Sequence, residues 1–507
     1  VLASRSLLVG VDLGTSAVKV IACTPAGKVV ASRSGRYALS TPQPERVEQD
    51  ADEVYRATMR ALREVISEVA LRGDTVGAVG FSCAMHGIVP VDDRGEALGP
   101  LVTWMDRRAA EIADRWHADG TAAALYAATG APVHPMLPSC KLRWFTDYEP
   151  AYAARAAKFV SLKELLLFRW TGEWLIDWGM ASGTGLFDFR THAWHEPALA
   201  AAGIDAGKLS TPAAPSTAHR RLRSSVASAL GLGTETAVVL ASSDGALANL
   251  GVGAVAPGDL AVTLGTSGAI RAVVATPALD GRGRTFCYAY DDTKYIVGGP
   301  TSSAGAVLNK LQELLMGEIP ADERFENAIG LAERAPAGAN GLTVVPFLSG
   351  ERAPYWLAEL RGGIAGLDLS HTRGDILRAA FESVVFALGT VLAVLRENLP
   401  EPQAVRLSGG LTKAPFIRQL VADIFGCEAI LADQDEASAF GAAMMAGIAI
   451  GALADDRAVA ALLQPLHVHV PNPEVSEHYV RFFARYRAVV EASLPLYGSG
   501  SMSAPRC

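Results

Sequence analysis

Val11-Asp12-Leu13-Gly14-Thr15-Ser16, continued by Ala17-Val18-Lys19-Val20-Ile21-Ala22, returns half a chain later as Val262-Thr263-Leu264-Gly265-Thr266-Ser267, continued by Gly268-Ala269-Ile270-Arg271-Ala272-Val273. Each copy is an apolar run, a Gly-Thr-Ser turn and a second apolar run, the pattern of a β-hairpin whose tip exposes backbone N–H groups and two hydroxyls. Such a tip can hold a phosphate. The copies differ at one telling place, where Asp12 of the first corresponds to the neutral Thr263 of the second. Two phosphate-facing hairpins, only one of them carrying a carboxylate, point to a cleft that closes on a nucleotide and its metal.

The elements around the two hairpins follow one scheme. In the first half, residues 7–11, 18–24 and 29–33 read as strands. Val54, Ala57, Ala61, Val65 and Val69 then mark one face of a helix over 52–71, and the continuously apolar 76–82 reads as a strand buried in a parallel sheet. A strand over 237–241, the turn Ser242-Ser243-Asp244-Gly245 and a Gly/Ala-rich helix close this half. The second half gives strands at 259–264, 269–275 and 295–297, a helix from 304 to about 316, a strand at 342–347 and a long helix over 373–396. A strand at 404–407 then runs through Ser408-Gly409-Gly410 into a helix over 415–425. Strands alternating with helices mean an α/β class with mixed sheets. Gly253 and Pro257 punctuate the chain between the halves, giving domains over 1–253 and 254–490 and a small, polar tail over 491–507 that reads as disordered. Residues 106–232, rich in Trp, His and Pro, have no counterpart in the second half and read as an insertion that shapes a substrate pocket.

Composition narrows the class of function. The 507 residues are 50% hydrophobic, ample core for two domains, and the net charge of −8 with no long basic run argues against nucleic acid or an anionic membrane as partner. Six cysteines without C-x-x-C spacing read as reduced thiols in a reducing compartment, the cytoplasm, and not as a zinc site. Residues 1–6 do not read as a signal peptide. The apolar stretch 440–454 is short, rich in Gly and Ala, and followed by Asp455-Asp456, so a closely packed core helix is the better reading than a membrane span.

The ordered set Asp12-Leu13-Gly14-Thr15-Ser16, Met85-His86-Gly87, Trp104-Met105-Asp106, 136–144 (Met-Leu-Pro-Ser-Cys-Lys-Leu-Arg-Trp), Ser243-Asp244-Gly245, Leu264-Gly265-Thr266-Ser267, Gly350-Glu351-Arg352-Ala353-Pro354 and Leu407-Ser408-Gly409-Gly410 resembles the FGGY family of carbohydrate kinases over nearly the whole chain. The fold this resemblance implies is that of actin and the heat-shock chaperone ATPases, two duplicated ribonuclease-H-like domains with an interdomain cleft for ATP and sugar. Within the family, Ala84-Met85-His86-Gly87 and Trp104-Met105-Asp106-Arg107-Arg108 look most like gluconate kinases, whereas xylulose kinases usually carry Gln before the Met-His pair. The activity implied is transfer of the γ-phosphate of ATP to a hydroxyl of an open-chain sugar or sugar acid, with D-gluconate first and xylulose or another pentulose as the alternative. A regulatory or chaperone ATPase on the same fold is the reading from a different class; such chaperones add a peptide-binding region, and little chain follows the last core helix here. A sugar sensor without catalysis is a third, disfavoured by Asp12 and Asp244.

Phosphoryl transfer needs in-line geometry, neutralised phosphate charge and a base for the hydroxyl proton. Asp244, where a strand gives way to a helix at the sheet's carboxyl edge, suits the base, and its structural alternative is the N-cap of the helix starting at Ala246. Asp12 ends a buried strand and suits Mg²⁺ held largely through waters, with Asp244 as second metal-facing carboxylate; its alternative is an Asx turn in the hairpin. Gly14, Thr15, Ser16, Gly265, Thr266 and Ser267 cradle phosphates in this reading, Lys19 adds charge, and Gly409 and Gly410 let the backbone pack against adenine or ribose unless they form an ordinary βα turn. Gly305 completes the nucleotide-binding set. For the sugar, Met85, His86, Trp104, Asp106 and Asp244 offer an aromatic face and hydroxyl acceptors, while Trp104 as core, Asp106 as the N-cap of a helix over 107–116 and His86 as a structural histidine are the alternatives. A substrate carboxylate also needs a cation, for which Arg107, Lys141 and Lys163 are candidates. The partners implied are a small sugar or sugar acid, neither nucleic acid nor membrane, with a homodimer left open.

Overall fold

The structure, a computed structural model, describes residues 6–497. Residues 1–5 and most of the tail read as disordered, 498–507, lie outside the described residues, whereas 491–493 complete the helix Pro473–Ser493 and Leu494–Leu496 forms one 3₁₀ turn. The strands that frame the site are β1 (Ser6–Leu13), β2 (Ala17–Cys23), β3 (Val29–Arg36), β4 (Thr75–Cys83), β5 (Ala237–Val239), β6 (Leu260–Leu264), β7 (Gly268–Val274), β8 (Tyr295–Thr301), β9 (Ala404–Ser408) and β10 (Glu428–Ala432). The helices are α1 (Ala51–Leu71), α2 (Pro138–Tyr148), α3 (Leu162–Thr171), α4 (Asp244–Val252), α5 (Gly305–Leu315), α6 (Arg373–Arg396) and α7 (Ala437–Ala449).

Two compact units result. In the first, the sheet order is β5-β4-β1-β2-β3, with Ala218–His219 at the β5 edge; β1 runs antiparallel to β2 and parallel to β4, and β4 parallel to β5. In the second, β8-β7-β6-β9-β10 repeats that order and those directions, with Pro465–His469 antiparallel at the β10 edge. The duplication read from two hairpins therefore extends to five strands each, the actin-like arrangement that the resemblance implies. It reaches single residues: Asp12 faces Ser82 across β1 and β4, and Thr263 faces Ser408 across β6 and β9.

Local sequence explains these elements. β1 is buried almost throughout, as a central strand flanked on both sides must be. Asp50 caps α1 by accepting from Asp52 and Glu53 N–H, and the five residues read as its apolar face are all buried. The strand expected at 342–347 forms as Thr343–Val345, but it pairs with Gly363–Ala365 outside the main sheet. The helix expected over 107–116 begins later, as Ala110–Ala118.

The units do not part at one point near residue 253. Among the described residues, 434–464 and 273–297 belong to the first unit, and 258–272, 298–433 and 465–497 to the second. The reason is a glycine-lined seat for α7. A Cβ at Gly10 of β1 would stand 1.9 Å from Ala439 O, and one at Gly80 of β4 2.1 Å from Ala442 O. Glycine alone lets helix backbone approach sheet that closely. The span of 440–454 read as a core helix lies in this buried α7 and the turn after it. One helix among the described residues, α6, is long and apolar enough to cross a membrane, and 89% of its apolar window is buried within the fold.

Candidate active site

Two carboxylates come together at the carboxyl edge of the first sheet. Asp12 faces Ser82, whose Oγ donates to Asp12 Oδ1 at 2.7 Å, and the next residue of β4, Cys83, bridges to Ser243 beside Asp244. Burial pushes the Asp12 carboxyl up to about 6, the Ser82 hydrogen bond opposes this, and the charge of Asp244 pushes further upward. The capping alternative for Asp244 is answered by its neighbour: Ser243 caps α4, accepting from Ala246 N at 3.4 Å, and Asp244 is the first helical residue. Asp244 Oδ1 accepts from Gly245 N at 2.7 Å. Ala241, fully buried between β5 and this turn, has φ +51°, a left-handed conformation that a non-glycine residue holds only where its surroundings enforce it.

Lys163 of α3 helps enforce it. Its ammonium lies 2.5 Å from Asp177 Oδ2 and donates to Ser242 O at 2.9 Å and Leu240 O at 3.2 Å, all inside the core. A capping box of Ser161 and Glu164 fixes the start of α3. Lys163, read as a candidate for a substrate carboxylate, instead braces the turn that carries Asp244. Spacing along the chain gave no sign of this, because the bonded carbonyls lie far away in sequence.

The loops read as sugar-facing divide in the same way. Met85 and His86 are half-buried, and His86 takes φ +66° with Nδ1 2.7 Å from Gly183 O, which fixes the proton on Nδ1 in the neutral ring. A methyl on Gly183 would stand 2.3 Å from Met85 Cε, so the 178–183 segment packs directly on this loop. Trp104 is half-buried and donates from Nε1 to Thr15 Oγ1 at 3.0 Å, tying its own loop to the first hairpin. Asp106 is corrected. It is 1% exposed, accepts from Val47 N at 2.8 Å and Arg108 N at 3.0 Å, and takes both Arg108 Nε and Nη2 at 2.8 Å. A carboxylate holding that many donors is a structural anchor, with no capacity left for a sugar hydroxyl.

Lys141 is the second corrected cation. Buried in α2, it donates to His86 O and Thr103 O, both at 2.7 Å, and so clamps the two loops that carry Met85-His86 and Trp104. Burial holds its amine down at about 7, with Asp106 opposing. A base whose pKa falls on folding contributes stability that is present above the ordinary 10.5 and lost as pH falls through about 7. Lys141→Met should remove that rise in thermal stability between pH 7 and 10. Through loosened loops it should also raise the sugar KM roughly tenfold, in line with lost hydrogen bonds to a charged donor, without changing the KM for ATP. Melting curves and initial rates check both. Arg107 is half-buried, with its backbone N–H donated to Glu45 O at 2.8 Å.

At the first hairpin tip, Gly14 N closes the turn onto Ala17 O at 3.2 Å, so the tip glycine's own N–H is taken up. Tyr37 Oη donates to Gly14 O and Gln49 Nε2 to Thr15 O at 2.8 Å, fixing the backbone of the tip. Ser16 is exposed. Lys19, read as adding charge to the nucleotide-binding set, is paired with Glu436 at 2.6 Å.

The second hairpin is built alike within its own unit. Gly265 N bonds Ser267 O at 3.0 Å, Thr266 is exposed, and Thr263 Oγ1 lies 3.0 Å from Ser408 Oγ. Arg271 Nη1 donates to Thr263 Oγ1 at 3.1 Å, placing a guanidinium where the first copy has its carboxylate. Gly305, read as part of the nucleotide-binding set, has its N–H bonded to Gly265 O, and Ala306 N bonds Thr266 O, both at 3.0 Å. Gly409 has φ +97°, and a Cβ there would stand 2.4 Å from Leu264 O, whereas Gly410 is exposed with nothing within 4 Å of its would-be Cβ. Gly409 thus packs on the hairpin, and Gly410 offers open backbone.

No group of three His, Cys, Asp or Glu is placed to hold a metal among the described residues. Two neighbouring carboxylates, one with its pKa driven upward, do fit a hydrated hard cation such as Mg²⁺, which is bound through one or two carboxylates with its remaining ligands water. The five described cysteines are buried and unpaired in disulfides, with Cys23, Cys83 and Cys140 each pushed up to about 12 by burial. Cys507 lies outside the described residues.

Comparison with known proteins gives two successive family matches along the chain. The N-terminal domain of the FGGY family of carbohydrate kinases matches residues 7–251, and its C-terminal domain matches 260–450. A gluconokinase from Bacillus licheniformis is 33% identical over 481 residues, covering 94% of this chain and 93% of that protein. Two solved structures from Lactobacillus acidophilus, a gluconate kinase (32% identity) and a ligand-bound xylulose kinase (31%), each give a TM-score of 0.93 and cover 98% of this chain and 100% of theirs.

Proposed function

The chain belongs to the FGGY family of carbohydrate kinases and is a phosphotransferase that acts on a small sugar substrate with ATP; on that premise we propose that its substrate is D-gluconate and its product 6-phosphogluconate. The observation that carries the choice is the Ala84-Met85-His86 loop, which lacks the Gln usual in xylulose kinases and packs directly against the 178–183 segment. The similarity to gluconokinases supports it; the fold does not separate gluconate from xylulose.

In this proposal the sugar lies against Met85, His86 and Trp104, and Arg107, half-buried on the Trp104 loop, meets its carboxylate. Asp244 accepts the proton of the terminal hydroxyl as that oxygen bonds to the γ-phosphorus and the bond from phosphorus to the β–γ bridging oxygen breaks, releasing ADP. Thr15, Ser16, Thr266 and Ser267 donate to phosphate oxygens, and Gly410 gives the adenosine an unobstructed backbone. Asp12 and Asp244 would hold Mg²⁺ through its waters, and the ion, when bound, neutralises phosphate charge. The buried, unpaired thiols are consistent with a cytoplasmic setting.

The test is ADP release coupled to a pyruvate kinase and lactate dehydrogenase readout, over gluconate, xylulose, ribulose and glycerol. Gluconate is expected to give the highest kcat/KM, by roughly tenfold or more, the scale on which one pocket contact separates substrates. A higher value for xylulose would move the assignment to the pentulose kinases. ADP release independent of any sugar would favour the regulatory-ATPase reading.

A further inference from the structure

The Gly350-Glu351-Arg352-Ala353-Pro354 segment has no part in the chemistry described so far, yet it holds one of the most heavily bonded carboxylates in the second unit. Glu351 is 1% exposed. Its Oε2 lies 2.7 Å from both Thr301 Oγ1 and Ser303 Oγ, and its Oε1 accepts from Ser302 N and Arg352 N at 2.7 Å. Arg352 Nη2 returns to Thr301 O at 2.7 Å. Each carboxylate oxygen thus meets two donors, all within the 301–303 turn or the adjacent residue. Burial alone pushes the Glu351 carboxyl up, and the Ser303 and Thr301 hydrogen bonds oppose that shift.

The turn leads into α5, whose N-cap, Ala304, offers no side-chain acceptor. The first N–H groups of a helix need partners, and here they find them in the tip of the second hairpin: Gly305 N on Gly265 O and Ala306 N on Thr266 O. A Cβ on Gly305 would stand 2.7 Å from Gly265 O, so helix and hairpin are in close backbone contact. Three rigid links therefore run from Glu351 through 301–303 and the start of α5 to Thr266. We propose that Glu351 is a positioning residue for the nucleotide: by fixing the 301–303 turn it seats α5 on the second hairpin and sets the direction in which Thr266 and Ser267 meet phosphate. This rests on the reading of that hairpin as nucleotide-binding.

Glutamine at this site removes the charge and makes the Thr301 and Ser303 hydroxyls accept from an NH₂ where they had donated to a carboxylate, so Glu351→Gln weakens the arrangement while keeping its shape. Steady-state KM values for ATP and gluconate, ADP binding by calorimetry and melting temperatures would be measured for Glu351→Gln, Glu351→Asp, Ser303→Ala, Thr266→Ala and the Glu351→Gln/Thr266→Ala pair. The expected result for Glu351→Gln is a KM for ATP raised roughly tenfold or more, as for loss of hydrogen bonds to a charged group, with the sugar KM within about twofold. Ser303→Ala, which removes one donor, and Glu351→Asp, which keeps the charge, should give smaller shifts in the same direction. The double variant should be less than additive, because both changes act through one hairpin. If Thr266→Ala raises the KM for ATP and neither Glu351→Gln nor Ser303→Ala does, the positioning role is wrong while the hairpin reading stands. If both KM values rise together in step with lost melting temperature, Glu351 is only structural and the proposal fails. If Thr266→Ala leaves the KM for ATP unchanged, the hairpin reading itself fails and the proposal with it.

Discussion

Asp244→Asn is expected to lower kcat by roughly 10²–10⁴, the contribution typical of a positioned general base. The effect should be chemical and not structural. Ser243 caps α4, so the helix keeps its cap, and the bond from Gly245 N to Oδ1 can form with the amide oxygen of Asn. Lys163 still braces Ser242 and Leu240 from below. The melting temperature should therefore change little and the sugar KM by no more than a few-fold. Initial rates with saturating ATP and sugar decide it: activity surviving within about tenfold of the parent would remove Asp244 from the role of base.

Asp12→Asn should separate stability from activity. An acid whose pKa rises on folding, here from 3.8 to about 6, contributes stability that is present below the lower value and lost as pH rises through the upper one. Above pH 6 the ionised Asp12 is a standing cost, by this shift up to about 3 kcal/mol, which asparagine does not carry. In metal-free buffer the variant should melt above the parent at pH 8 and with it at pH 4. Asparagine can still accept from Ser82 Oγ, so β1 and β4 keep their cross-strand bond. The Mg²⁺ concentration for half-maximal rate should rise by roughly 10–100-fold, the usual scale when an indirect metal partner is lost. Equal melting at pH 8, or an unchanged Mg²⁺ requirement, would show that the carboxylate is not held in wait for a cation.

What could be read in the sequence was what repeats along it. The apolar face of α1 is legible from three- and four-residue spacing, and the two Gly-Thr-Ser tips exposed the duplication that the five-strand orders complete. The Asp12–Ser82 and Thr263–Ser408 pairs had a signal too, since each Ser lies at or beside the carboxyl end of the strand that a parallel partner of the hairpin would supply. Directions of charged side chains were not legible. Asp106, Lys141 and Lys163 share residue type and neighbourhood with site residues, but each is turned inward by partners distant in sequence: Val47 for Asp106, His86 for Lys141, Asp177 and Ser242 for Lys163. The return of 434–464 to the first unit was hidden for the same reason. Gly10 and Gly80 read as ordinary strand glycines until the backbone of α7 is seen against them.

The most direct test of the function is a competition. Purified protein is given equimolar D-gluconate and D-xylulose with limiting ATP and Mg²⁺, and the two sugar phosphates are quantified by chromatography and mass spectrometry. The predicted result is 6-phosphogluconate in excess by about tenfold or more, with the excess lost in Asp244→Asn along with turnover. Xylulose phosphate in equal or greater amount would contradict it.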